Sequence, residues 1–259
     1  MHMPAKGSKG HGTQGGHTHP HPHDHEHGPH THTHDERQSI PLEMQILDEN
    51  QKIAEENRRA FKKAGVCVIN LISSPGSGKT TLLERTIPEL QKAGLPPAVI
   101  EGDITTTADS DRIAVLGVQV TQIQTEQFGG ACHLEAQNIR EALKKIDLAG
   151  VRILFIENVG NLVCPAEFYL GEDATVVLIS ITEGEDKPLK YPLAFHKAHA
   201  AIINKMDLLP HLRVDIDKLK SNLGKVNPGF ELMPLSAQSG EGMDRWLEWI
   251  RKTAQKSAE

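Results

Sequence analysis

The sequence predicts an α/β domain, a mostly parallel β-sheet with helices on both faces. Three observations carry this. Continuous apolar runs at residues 66–72, 151–156 and 174–181 have the character of strands covered on both sides, and they alternate with stretches of helical period. The first run leads into Ser73-Ser74-Pro75-Gly76-Ser77-Gly78-Lys79-Thr80 and then a helix-like Thr81-Leu82-Leu83-Glu84-Arg85. Strand, glycine-rich turn and helix in that order are the setting of a phosphate-binding loop, which makes the domain a P-loop NTPase. Another apolar run, residues 200–203, ends in Asn204-Lys205-Met206-Asp207, an N-K-x-D pattern directly after a strand.

Composition sets the outer bounds. The 259 residues fit one α/β domain with an extra segment, and 38% hydrophobic residues suffice for a core. A formal charge of −6 with no basic stripe argues against nucleic acid as a partner. No run of about 18 apolar residues is present, so no membrane span is expected, and Met1-His2-Met3-Pro4 lacks the apolar core of a signal peptide. Three cysteines, Cys67, Cys132 and Cys164, cannot all pair within one chain, which points to a reducing, cytoplasmic setting.

Residues 1–37 are low in complexity and hold eleven of the fifteen histidines, among them His17, His19, His21, His23, His25, His27, His30, His32 and His34. With almost no aliphatic side chains to bury, the segment is predicted to be disordered. Imidazole suits nickel, copper and zinc, and the irregular spacing is unlike an appended run of six, so the segment reads as a low-affinity metal buffer. The domain proper then spans 38–259. Apolar residues at helical spacing over 42–63 predict an amphipathic helix packed on the domain body.

In the phosphate loop, the backbone N–H groups of Gly76, Ser77, Gly78, Lys79, Thr80 and Thr81 would wrap the phosphates. Lys79 would reach the β/γ oxygens and the Thr80 hydroxyl would hold Mg²⁺. The pattern G-x-x-x-x-G-K-[ST] has Ser73 where glycine is usual. A helix to about residue 93 and a strand over 97–101 follow. Asp103, just beyond that strand, is the candidate Mg²⁺ carboxylate, or else a helix cap, with Thr105, Thr106 and Thr107 as a nucleotide-sensing loop.

A strand over 118–123 precedes a helix expected from near Ala131 to Ile146, which would put Cys132 in the field of a helix N-terminus. On such a helix Cys132 and His133 diverge by about 100°, and the pair by itself reads as a small buried hydrophobe beside a cap more often than as a ligand set. The 151–156 strand ends in Glu157-Asn158-Val159-Gly160, the form of a γ-phosphate-sensing loop. Glu157 would hold Mg²⁺ or its water, the Gly160 N–H would meet the γ-phosphate, and Cys164 lies four residues further on. Residues 183–192 read as a charged loop broken by two prolines, with Lys187 and Lys190 either solvated or reaching across an interface.

In N-K-x-D the Asp207 carboxylate can accept from guanine N1–H and its exocyclic amine, where adenine offers no matching donor pair. Lys205 would pack on the ring, and Asn204 would tie this loop to the phosphate loop. Ser236 and Ala237 close the last strand, with the Ala237 N–H aimed at guanine O6. A helix over 243–252, with Trp246 and Trp249 as packing residues, completes the domain.

Phosphate loop, switch carboxylates, N-K-x-D, the Cys132-His133 pair, the run from Glu157 to Cys164-Pro165 and the histidine-rich N-terminus together closely resemble the HypB family, nickel-incorporation GTPases of [NiFe]-hydrogenase maturation. The resemblance covers about residues 40–255. It implies a SIMIBI-type G domain, of the group that includes the signal-recognition and urease-accessory GTPases, which binds GTP or GDP and dimerises. It implies a nickel or zinc site near the dimer interface at Cys132, His133 and Cys164, and delivery to the hydrogenase large subunit with a HypA-type nickel chaperone. Urease-type relatives carry Cys-Pro-His instead of adjacent Cys132-His133. Some HypB proteins have an N-terminal Cys-rich nickel motif; this chain has no cysteine before Cys67, so its tail reads as capacity. A storage protein or a kinase on the same loop are the rival classes, and N-K-x-D disfavours the kinase. Asn161 stands where some fast GTPases place a water-orienting Gln, which predicts slow intrinsic hydrolysis.

Overall fold

The computed structural model describes residues 42–103, 108–128 and 132–259. The histidines at 2–34, Thr105, Thr106, Thr107 and the expected helix start at Ala131 lie outside the described residues. Seven strands form one sheet in the order β3-β2-β4-β1-β5-β6-β7. They are β1 (Cys67–Ser73), β2 (Pro97–Asp103), β3 (Gln119–Gln124), β4 (Ile153–Gly160), β5 (Ala174–Ser180), β6 (Ala200–Asn204) and β7 (Glu231–Pro234). Every neighbouring pair is parallel. The helices are α1 (Leu42–Ala64), α2 (Lys79–Lys92), α3 (Ala108–Ala114), α4 (Ala136–Leu143), α5 (Lys187–Lys190), α6 (Pro192–Lys197), α7 (Ile216–Val226) and α8 (Met243–Ala258).

Strand alternation sorts the core. In β1, Cys67, Ile69 and Leu71 pack with Leu82, Leu83 and Ile87 of α2 and Trp246 and Ile250 of α8. Val68 packs on the other face with Phe61 of α1 and Ile139 of α4. Ile72 joins Phe195 of α6 and Leu219 and Leu223 of α7 in a third cluster. Cys67 is a core thiol, as expected; burial, with Asp173 nearby, pushes it up to about 12. Trp246 and Trp249 stack on each other, and the Trp246 indole donates to Thr86 Oγ1 at 2.9 Å.

Helix α1 is bound to the domain by buried amides. Asn50 accepts from the Ala136 N–H at 2.8 Å and donates to Tyr169 O at 2.7 Å. Asn57, 2% exposed, donates to Ala136 O and Leu170 O. Gly171 permits this close approach: its φ is +100°, and a Cβ there would sit 2.7 Å from Ala54 O.

Four local expectations need correction. Helix α4 begins at Ala136, not near Ala131, because Glu135 is extended and forms a capping box with Asn138. Residues 132–135 are therefore non-helical, and Cys132 is not at a helix N-terminus. Strand β4 continues through Gly160, so Glu157 is a strand residue, not part of a loop. Residues 183–192 are not a plain loop: Pro188 and Pro192 sit in the first turns of α5 and α6, where a missing N–H costs nothing. Helix α7, which the sequence reading passed over, starts on the Asp215 cap, whose carboxylate accepts from the Asp217 and Lys218 N–H groups.

The amide latch of α1 is testable. Asn57→Ala leaves the Ala136 and Leu170 carbonyls without their buried donor and should lower stability by about 1–3 kcal/mol in urea unfolding. An unchanged midpoint would show that the latch carries no weight.

Candidate nucleotide and metal site

The phosphate loop follows from β1 and the glycines. Gly76 and Gly78 both have positive φ, +72° and +97°, and a Cβ on Gly78 would lie 2.6 Å from Asn204 Nδ2. Ser73, the departure from the usual pattern, is wholly buried; its hydroxyl accepts from Lys79 Nζ at 2.8 Å and donates to Ser74 O. Serine thus docks the lysine. Burial lowers the Lys79 pKa, against the pull of Glu157, Asp109, Glu101 and Asp103.

The carboxylates of the site lie on the α2 face. Thr80 donates to Glu157 Oε1 at 3.0 Å, and the other carboxylate oxygen of Glu157 is buried without a partner. Burial pushes Glu157 up to about 7. The residue that sequence reasoning missed is Glu101. It pairs in register with Glu157 across β2 and β4, is 2% exposed, and its Oε2 also lacks a partner. Burial first, then Glu157, pushes Glu101 up to about 8. The signal was available: Val99 faces α2, so Glu101 two residues on must face it as well. Asp103 ends β2, half-buried and near enough to act electrostatically on Lys79 and Glu101. Two buried carboxylates with orphaned oxygens beside a threonine hydroxyl are a hard-oxygen donor set suited to Mg²⁺.

At the base end, Asn204 Nδ2 donates to Ser77 O at 2.9 Å, so this loop is tied to the phosphate loop as expected. Lys205, the one non-glycine with positive φ among the described residues, donates to Gly76 O at 2.7 Å. Asp207 accepts from Ser236 Oγ at 2.5 Å. The Ala237 N–H differs from expectation, since it donates to Asn204 Oδ1 at 3.0 Å. Thr81 is half-buried and accepts from Arg112, linking α2 to α3.

Cys132, His133 and Cys164 converge, with one donor atom from each within 4.8 Å of the others. The two sulfurs are 2.8 Å apart. The His133 ring stacks on Phe168 at 4.0 Å, and both of its nitrogens are buried without a hydrogen-bond partner. Burial lowers its pKa against Glu135, which favours the neutral ring that a metal requires. Two soft sulfurs and an imidazole suit Ni²⁺ or Zn²⁺. A short physical path joins this triad to the phosphate loop. Gly160 lies so close to Pro75 that a Cβ would meet Pro75 Cα at 3.1 Å. Its neighbour Asn161 donates to Cys132 O at 3.4 Å and accepts from the Val163 N–H at 2.9 Å.

Lys187 lies beside this path. Its ammonium is 3.0 Å from Glu183 Oε2 and 5.0 Å from the centre of the Tyr191 ring. It lines a cavity of about 400 Å³ with Ser74, Pro75, Gly160 and Asn161. Lys190 is exposed and paired with Asp186 at 2.8 Å. No helix among the described residues is long and apolar enough to cross a membrane.

Sheet order, phosphate loop and N-K-x-D loop define a P-loop nucleotide-binding protein that also brings together a Cys-His-Cys group able to hold a metal ion. The family model described as CobW/HypB/UreG, nucleotide-binding domain, matches residues 46–234, and the chain belongs to that family. It is 50% identical over 215 residues to "Hydrogenase maturation factor HypB" of Escherichia coli K12, covering 83% of this chain and 73% of that protein. It is 51% identical over 211 residues to the HypB of Azotobacter vinelandii, covering 82% and 68%. Among solved structures, HypB from Helicobacter pylori in complex with nickel matches with a TM-score of 0.76 at 36% identity, covering 82% of this chain and 97% of that one. HypB from Archaeoglobus fulgidus matches at 0.73 and 36%, covering 80% and 99%.

The raised carboxylates make stability depend on pH. Between the ordinary 4.5 and their folded values of about 7 and about 8, Glu157 and Glu101 hold protons that the unfolded chain has released. Without divalent cation, stability should therefore fall as pH rises from about 5 to about 8, and Glu157→Gln should flatten part of that slope. Urea midpoints across that range that stay level or rise would contradict the burial of these groups.

Proposed function

We propose that the chain is a GTP-hydrolysing metallochaperone that binds nickel at Cys132, His133 and Cys164 and delivers it to a [NiFe]-hydrogenase large subunit. The observation that carries this reading is the Asn161 bridge, which joins the residue beside Gly160 to the Cys132 carbonyl. It lets an event at the γ-phosphate be felt at the metal ligands.

The residues divide the work. The loop from Gly76 to Thr81 binds the phosphates, and Lys79 leaves Ser73 to neutralise the β/γ oxygens. Thr80, Glu157 and Asp103 hold Mg²⁺, which when bound neutralises charge on the phosphates. Asn204, Lys205 and Asp207 select guanine, with Asp207 exchanging its Ser236 partner for the base, and Ser236 and Ala237 closing the loop. The Asn161 amide is occupied by Cys132 and Val163, so it is not free to orient water. Intrinsic turnover should accordingly stay well below about 1 s⁻¹, and faster release of phosphate by the purified protein would refute that assignment.

Three donors per chain leave a fourth metal position for a second copy or an incoming partner. Homodimerisation, exchange with a HypA-type chaperone, a cytoplasmic setting and a nickel store in the histidine tail follow from the resemblance to HypB.

Coupling between two such sites is reciprocal and typically about 1–3 kcal/mol, a change of roughly 5- to 150-fold. Nickel titrations of wild type and Cys132→Ala, with GDP and with a non-hydrolysable GTP analogue, test it while dimer mass is followed. Wild type should show nickel affinity and dimer mass that depend on the nucleotide. Cys132→Ala should lose both dependences yet bind GDP like wild type. Nickel binding indifferent to nucleotide in wild type would refute the coupling.

A further inference from the structure

Glu101 has no part in the function just described, yet its placement is unusual. It continues the face of β2 on which Val99 packs against α2, a position where an apolar residue would extend the core. Instead a carboxylate 2% exposed stands in register beside Glu157, and each has one buried oxygen without a hydrogen-bond partner. Lys79 gives its hydrogen bond to Ser73, not to either glutamate. An acid buried in such a place with an oxygen that no donor answers is a cost to the fold unless a cation answers it.

We propose that Glu101 is a positioning residue of the nucleotide's divalent-cation site, adding its carboxylate to that of Glu157 on the α2 face. Glu157 meets the Thr80 hydroxyl at the start of α2, and Glu101 flanks Glu157 from the neighbouring strand. Two adjacent parallel strands thus present carboxylates to one point beside the phosphate loop. The inference rests on the reading of Thr80 and Glu157 as cation-binding residues, and the experiment separates the two claims.

In the full-length protein, Glu101→Gln keeps shape and removes charge. GDP affinity is measured in magnesium chloride and in EDTA, and melting is followed without cation. The expected result is a melting temperature at or above wild type without cation, because a neutral amide replaces a carboxyl that must either stay protonated or stand charged with one oxygen unpartnered. GDP affinity in EDTA should match wild type, while the gain on adding Mg²⁺ should shrink by at least about fivefold. Glu101→Asp, which keeps the charge but withdraws it by one methylene, should weaken the Mg²⁺ response with melting unchanged. A full Mg²⁺ response in both variants overturns the proposal, and earlier melting with that response intact marks Glu101 as structural only. Glu157→Gln is the control: if it too keeps the full response, the cation-site reading itself has failed.

Discussion

The parallel pairing of β1 with β4 is the constraint on which the rest depends. It sets Ser73, the last residue before the phosphate loop, against Gly160, with an irregular step between Leu71 and Ser73. That register places Gly160 against Pro75, where an added Cβ would be 3.1 Å from Pro75 Cα, and delivers Glu157 to Thr80. Just beyond, Asn161 forms a backbone bridge to Ser73 and turns its amide to Cys132. A slip of one residue would reverse the faces and send Glu157 away from α2, because strand side chains alternate.

The sheet also explains where the buried charge lies. At the C-terminal ends of β1, β2 and β4, strand order reverses around the first strand, and open α/β sheets place their ligands at such points. Ser73, Lys79, Glu101 and Glu157 are all buried there. Away from it, the face of β1 towards α1 carries a polar chain of its own: Asn158 donates to Asn70, and Asn70 to Glu172. Asn158 also accepts from the Leu134 N–H, which fixes the chain immediately after His133. The Cys132-His133 segment is therefore held from both sides, by Asn161 at Cys132 and by Asn158 at Leu134.

Legibility followed the range of the interactions. The phosphate loop, N-K-x-D and the buried runs could be read directly, because each depends on neighbours in sequence. The start of α4 was misplaced by its apolar stripe, since Leu134 belongs to the core without being helical: it fills the space left by Gly102. The prolines at 188 and 192 looked like breakers and act as helix starts, a difference that rests on a single turn of backbone. The Ala237 N–H was assigned to a base, whereas the buried Asn204 amide engages it first.

By itself, the sequence determined the alternation of strands and helices, the positions of the glycines that must take positive φ, and the residue types for phosphate and base, because these depend on steric and chemical properties of adjacent residues. Only the tertiary structure decided that Cys132 and His133, divergent on the helix first expected, converge with Cys164. It alone set Glu101 beside Glu157. Both depend on strand register and on where a helix begins, quantities fixed by packing between segments far apart in the chain.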